Sequence, residues 1–422
     1  MRILVISRSA WRDDNSTGRT LTDFFQSFCG DDIYSLSFRD SAPFNPVVNQ
    51  CFSISEAQQI KALLKGTPIG RIVKKNENGI NENESKTYDK AKSINLKILA
   101  FAREWLWALG LWKNKNLDNY IEQIKPDVIF SPTFPCWYSY RVVSYIIKKT
   151  GAKLVLFHAD DCYTLKQISF SPLYWIYRFI QRKWIRSTVK LASCHYVISD
   201  IQKQEYDKLF GVEHTVLTRF ADFNKEPDFK MRYNTPLEFV YTGNINLNRW
   251  RTLALIAKAL ERINTHSTKA QLKIYSATPL TKDMRDALSV GVSSVFCGKI
   301  TSEEVVNVQN NADVLVHVEA FDKKNKYKVR HSFSTKIVDY LAMARPILAV
   351  GPSDVASIYH LKNNKAAFVA SSENELDTIL QEIIGDTKSL HEMSLAAYEC
   401  GRKNHNKETI LKMLYNDIHN IK

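Results

Sequence analysis

Residues 312–351 read A-D-V-L-V-H-V-E, then A-F-D-K-K-N-K-Y-K-V-R, then H-S-F-S-T-K-I-V-D-Y-L-A-M-A-R-P-I-L-A-V-G. The first run is apolar and ends on His317 and Glu319, as a buried strand that delivers polar side chains at its end would. A basic loop is expected over Lys323, Lys324, Lys326, Lys328 and Arg330. Ser334 is placed to cap a helix beginning near Thr335 and running to about Ala344. Pro346 stops that helix, and Ile347 to Val350 returns as a strand. A helix start offers free N–H groups and the positive end of a dipole, an anion site by construction. Lys336 falls in the first turn, where a cation opposes that dipole. The conflict is relieved if an anion sits between the two. Asp339 lies one turn on, at a suitable distance to accept hydrogen bonds from sugar hydroxyls. A plain capped helix in a βαβ unit would carry many of the same signals.

Working outward, the same alternation extends in both directions. Towards the N-terminus of this half, strands are expected at Leu237–Thr242, Gln271–Tyr275 and Ser294–Cys297, and beyond it at Ala367–Val369. Helices at about Trp250–Asn264, Ser302–Asn310 and Glu373–Ile384 fill the gaps. The first half has strands at Ile3–Ser7, Asp127–Ser131, Lys153–His158 and Tyr196–Ser199, with helices from about Arg19, at Tyr138–Lys149 and at Gln202–Leu209. Short apolar strands separated by helices mean an α/β chain with parallel sheets. The stretch 221–236 is polar and holds Pro227 and Pro236, so it reads as a linker. This gives residues 1–220 as one domain, 237–395 as the second, and 396–422 as C-terminal helices that pack back on the first. Gly66 to Lys90 breaks the alternation and reads as a polar excursion.

The chain is 422 residues long, 45% hydrophobic and 24% charged, so two domains can each bury a core. Its formal net charge of +14 favours a polyanionic partner: nucleic acid, anionic lipid or phosphorylated ligands. No nucleic-acid-reading motif accompanies the charge, and no G-x-G-x-x-G follows a strand, which disfavours a nucleic-acid binder and a dehydrogenase. Seven scattered cysteines, with no C-x-x-C, argue against a zinc site and a disulfide framework and fit a reduced, cytoplasmic compartment. No apolar run is long enough to span a bilayer. Two stretches are both basic and aromatic: Lys97–Lys115, with Trp105, Trp107 and Trp112, and Leu173–Lys190, with Tyr174, Trp175, Tyr177, Phe179 and Trp184. Such helices lie in a membrane interface or serve as core helices with solvated cations.

The pattern S-x-S-T-K-I-V-D-Y-L-A-M-A-R-P-I-L-A at Ser332 to Ala349 resembles the donor-binding segment of family 4 glycosyltransferases of the GT-B fold. K-P-D-V-I-F-S at Lys125, C-H-Y-V-I-S at Cys194, F-V-Y-T-G-N at Phe239, F-C-G at Phe296 and A-D-V-L-V at Ala312 keep the order that family has. The resemblance implies two Rossmann-like domains with parallel sheets facing a central cleft, and a sugar transferase of the polysaccharide-building kind. Its donor would be a nucleoside-diphosphate sugar, UDP or GDP; its acceptor lipid-linked or saccharide; its mechanism retaining, with no metal and no cofactor. Its place would be the inner face of the plasma membrane, bound peripherally.

Carried over residue by residue, the resemblance implies donor contacts from Gly18, Gly243, Asn244, Arg249, Ser334, Thr335, Lys336 and Asp339. Asn244 stands where the family has arginine, so Arg249 and Lys336 are the expected diphosphate cations, with Arg251 as a substitute. The family's two glutamates map to His331 and Asp339, and Glu319 is a candidate replacement carboxylate. His158 or Asp160, at the end of a strand of the first domain, is expected to orient or deprotonate the acceptor, and His331, the third catalytic candidate, to donate to a sugar hydroxyl or phosphate. The departures keep two alternatives open: a nucleotide-sugar isomerase of the same fold, and an inactive nucleotide- or lipid-binding scaffold.

Overall fold

The computed structural model describes residues 1–73 and 96–421. Residues 74–95, most of the expected polar excursion, lie outside the described residues. Fourteen strands are described: β1 Arg2–Ser7, β2 Asp32–Ser37, β3 Gln50–Ser53, β4 Arg71–Val73, β5 Val128–Pro132, β6 Lys153–His158, β7 Ala192–Val197, β8 Thr215–Val216, β9 Leu237–Thr242, β10 Ala270–Tyr275, β11 Ser294–Gly298, β12 Val314–Val318, β13 Ile347–Val350 and β14 Phe368–Ala370. They form two sheets, ordered β4-β3-β2-β1-β5-β6-β7-β8 and β11-β10-β9-β12-β13-β14. Every described pairing between these strands is parallel except β3 with β4. The fold class is α/β, with a layer of helices on each face of each sheet.

Strand periodicity explains the layers. In β1, Ile3 and Val5 point to one face and Leu4 and Ile6 to the other. Both faces are buried, so the strand reads as an unbroken apolar run. The same occurs in the second sheet, where Phe239 and Tyr241 face one core and Val240 the other.

The segment 221–236 connects the two sheets, and part of it is packed. Phe223 is buried against Tyr398 and lies against Gly401. The helix Thr387–Asn404 runs unbroken through position 395 and feeds the helix Lys407–His419. That last helix buries Ile410, Leu414 and Ile418 against the β1 side of the first sheet, and Asp417 accepts from the Tyr196 hydroxyl at 2.7 Å. The two domains are therefore joined by two chain crossings.

Several local expectations differ from the structure. The strand expected at Tyr196–Ser199 is β7, Ala192–Val197, and Ser199 instead caps the helix Asp200–Phe210. The basic segment is a helix, Lys323–Val329, because Asp322 accepts from the Asn325 N–H and caps it. The helix at Thr335 ends at Ala342 rather than Ala344. The first helix begins at Ser16 rather than near Arg19, capped by Asn15 on the Gly18 N–H, so Gly18 lies inside a first turn and not in a loop.

Candidate functional site

Parallel sheets end all their strands on one side, and the polar residues that follow β9 and β12 meet there. Gly243 follows β9 with φ near 133°, a conformation only glycine takes readily. A Cβ there would lie 1.6 Å from Nζ of Lys336. The lysine thus uses the space that the missing side chain leaves, with its ammonium 4.9 Å from the Tyr241 ring centroid. Lys336 is the second residue of the helix Thr335–Ala342. Ser334 precedes that helix without forming the expected side-chain capping bond; its carbonyl takes the Ile337 N–H, and the N–H groups before that one keep their capacity for another acceptor. Loss of hydration, then the charge of Arg249, lowers the Lys336 ammonium to about 8.

Arg249 begins the helix Arg249–Ile263 and grips Glu319 in bidentate fashion, Nε to Oε2 at 3.0 Å and Nη2 to Oε1 at 2.9 Å. Glu319, just past β12, is 4% exposed, and its backbone carbonyl accepts from Thr252. Burial raises its carboxyl and Arg249 opposes that shift. The expectation that Glu319 supplies a free carboxylate is corrected here: its two oxygens hold Arg249. Arg249 correspondingly has its charge answered, which leaves Lys336 as the cation of this group without a carboxylate in salt-bridge contact among the described residues. His317 contacts Ser357 at 3.0 Å and is lowered to about 3 by burial, then by Arg249 and Lys336, so it is neutral.

Asp339 faces Arg219 from the end of the first domain at 3.3 Å, and both side chains are about two-fifths exposed. Such a pair contributes little to stability and can exchange for a ligand. Asn244 is exposed, and its Oδ1 accepts from the Asn246 N–H. Arg251 is exposed, 5.2 Å from the Trp250 ring centroid. Gly18 sits where a Cβ would fall 1.9 Å from the Arg12 carbonyl oxygen, so its visible role is close backbone packing.

On the first domain, Asp160 is solvent-reachable and accepts from Ser332 Oγ at 2.8 Å. Ser332 lies three residues before Thr335, so this bond brings the end of β6 to the entrance of the lysine-bearing helix. Desolvation raises the Asp160 carboxyl, and the neighbouring Asp161 adds to that. His158 is placed differently: it is 1% exposed, stacked 5.8 Å from Phe210 and packed on Tyr206. Burial pushes its pKa well below the ordinary value, so this imidazole is a neutral core group closed to an acceptor. His331 is also 1% exposed, with Nε2 2.9 Å from Glu205 Oε2. Arg330 pairs with the same carboxylate, and Ser199 donates to the His331 carbonyl at 3.0 Å. His331 is thus a strut between the domains. Glu205 and Arg219 carried no sequence signal, because their pairings with His331, Arg330 and Asp339 form only where the domains meet, and Ser332, inside the quoted motif, gave no hint of its bond to Asp160. Among the described residues, no group of three His, Cys, Asp or Glu side chains is set to hold a metal ion.

No protein-family model and no curated protein sequence matches the chain. Solved structures do. Anabaena HepE in complex with UDP aligns over 99% of this chain and 100% of its own, with TM-score 0.64 and 13% identity. Sucrose-phosphate synthase from Thermosynechococcus elongatus aligns over 99% and 98%, with TM-score 0.59 and 13% identity. The UDP-forming trehalose-phosphate synthase from Burkholderia xenovorans, in complex with glucose-6-phosphate, aligns over 99% and 100%, with TM-score 0.57 and 9% identity. The chain has the GT-B fold. In GT-B terms, the Gly243–Lys336 group stands on the second domain and Asp160 on the first, with the domains in contact through Ser332, Arg219 and Glu205.

Proposed function

We propose that the chain is a glycosyltransferase that moves a hexose-type sugar from a nucleoside-diphosphate sugar to a lipid-linked or saccharide acceptor. The observation that carries this reading is Lys336: a dehydrated ammonium lodged over Gly243, at an uncapped helix start, without a carboxylate of its own. A diphosphate supplies the missing negative charge and accepts from the open N–H groups. HepE, which shares the fold, was crystallised with UDP and with UDP-glucose, and UDP is the first nucleotide to test.

In this reading Lys336 and the helix end bind the diphosphate and hold the charge that develops as it leaves. Asp339 releases Arg219 and accepts from donor hydroxyls. The Arg249–Glu319 pair fixes the helix behind Gly243 and sets the local field. Asp160, raised by desolvation and steadied by Ser332, takes the proton of the acceptor hydroxyl. The reaction is read as retaining, as the family resemblance implies, and as metal-independent, since the lysine and the helix end provide the positive charge that the diphosphate needs. The net positive charge and the basic aromatic helices favour a membrane-side acceptor in surface-polysaccharide synthesis.

The test is thermal unfolding with UDP, GDP, ADP and CMP in the absence of added metal. A ligand at about 100 times its Kd adds about 2.7 kcal/mol, a shift of several degrees. One nucleoside diphosphate is expected to raise Tm and so identify the base. If none does, the donor reading is lost.

A further inference from the structure

We propose that the loop before the helix Pro172–Val189, together with that helix's outward stripe, docks on an anionic lipid surface. The helix contains no acidic residue. Exposed positions follow one another at helical spacing as Pro172, Ile176, Phe179, Lys183 and Arg186, with Ser187 exposed beside the last, and the stripe continues to Lys190. The character of the stripe changes along its length. Ile176 and Phe179 are apolar and more than half exposed, while the later positions are cationic and meet no carboxylate among the described residues. Phe170, just before the helix, is 98% exposed, and Leu165 and Ile168 add to the same apolar end.

This apolar end is held in place. Trp175 Nε1 donates to the Ser169 carbonyl at 2.9 Å, and the Tyr174 hydroxyl donates to Gln167 at 2.7 Å. Buried Arg178 bonds the Asp161 and Thr164 carbonyls from the same helix. Phe170 is therefore presented to solvent by a bonded loop.

The order of residues selects the occupant. From Phe179 to Arg186 the helix rises about 10 Å, comparable to the ~5–10 Å by which apolar side chains enter a bilayer interface. With the Phe170 end leading, Lys183, Arg186 and Lys190 arrive at the level of anionic head groups. A protein partner would need acidic side chains at that depth beside an apolar pocket; a lipid interface has this layering everywhere. The other basic aromatic stretch, Lys97–Lys115, contributes less. Trp107 and Trp112 are fully buried, and only Trp105 and Leu109 of its described large apolar residues stand well exposed.

The proposal gives the membrane side of the reading above, but its test uses no nucleotide, so the two fail separately. The full chain is sedimented with vesicles of phosphatidylcholine alone and with added phosphatidylglycerol. Binding is expected only with phosphatidylglycerol and is expected to fall as salt is raised. Lys183→Gln/Arg186→Gln/Lys190→Gln is expected to lower partitioning roughly a hundredfold, and Phe170→Ser/Phe179→Ser about tenfold or more. Both variants should melt as the wild type does, because the altered side chains are exposed. The idea is overturned if wild type stays in the supernatant with both vesicles, or if both folded variants sediment as wild type does. It is equally overturned if wild type ignores vesicles but dimerises in solution and Phe170→Ser/Phe179→Ser is monomeric, since the face then belongs to a second copy.

Discussion

Lys336→Ala is expected to abolish the thermal response to the stabilising nucleotide, to slow sugar transfer by about 10³-fold, and to leave the ligand-free protein as stable as wild type or slightly more so. The combination is what discriminates. A lysine kept for structure would cost stability when removed. Lys336 is instead disfavoured in its charged form, because it has lost water and faces Arg249. Its folded pKa of about 8 lies below the unfolded value of 10.5. Between those values the unfolded chain binds more protons, so this group makes stability rise with pH from about 8 upward and penalises the fold below it. A diphosphate reverses the preference and draws the proton back. Nucleotide affinity should therefore be flat below pH 8 and fall above it, with proton uptake seen by calorimetry in buffers of different ionisation enthalpy. The alanine variant should show neither effect. Gly243→Ala gives a second route to loss of the nucleotide response, here with some loss of stability from the φ near 133°, because its Cβ would displace the ammonium from 1.6 Å away. A wild-type-like nucleotide response in both variants would remove Lys336 from the donor site.

What the sequence revealed of this site, and what it hid, follows from how far apart the determinants lie. Lys336 was legible because its conflict is local: a cation in a first turn, preceded by Ser334 and followed by Pro346, is visible within a dozen residues. The parallel sheets were legible for a similar reason. Strands buried on both faces, such as β1, β12 and β13, are apolar along most of their length, with Ile3–Ile6 and Ile347–Val350 unbroken. In contrast, β2 reads D-I-Y-S-L-S and β3 reads Q-C-F-S; both escaped notice because polar residues interrupt their apolar runs. His331 and His158 look alike on paper, each a histidine at the edge of a loop or strand. The first is fixed by Glu205, 126 residues away, and the second is closed over by Phe210 and Tyr206. Arg249 was read as a free cation for the same reason: its partner Glu319 lies 70 residues on. Chemistry on one helix can be read from one helix, whereas the neutralisation of a charge depends on the assembled fold.

Asp161→Ala is expected to cost about 3–5 kcal/mol, the range for breaking a buried ion pair by removing one partner. Asp161 and Arg178 are both nearly enclosed and meet at 3.1 Å. The carboxylate also accepts from the Tyr163 and Thr164 N–H groups at 3.0 and 2.7 Å, from the Thr164 hydroxyl, and from the Tyr206 hydroxyl at 3.2 Å. Burial alone would raise its pKa, but Arg178, together with the other donors, carries it below the ordinary value. A depressed carboxyl contributes stability above its unfolded pKa and loses it as pH falls through the folded one; the wild type should therefore hold this term at neutral pH and lose it in acid below about pH 4. Alanine removes it at every pH and leaves Arg178 with only carbonyl partners and Gln181. The unfolding temperature should drop by about 10 °C, and the double variant Asp161→Leu/Arg178→Met should recover part of that loss, since no buried charge is then stranded. The same pair holds the loop that carries Asp160 on one side and Phe170 on the other, so Asp161→Ala should weaken both transfer and vesicle binding even where the chain remains folded. A melting temperature within a degree or two of wild type would mean that Arg178 finds adequate compensation in the carbonyls alone, and that the loop's placement rests on Trp175 and Tyr174 instead.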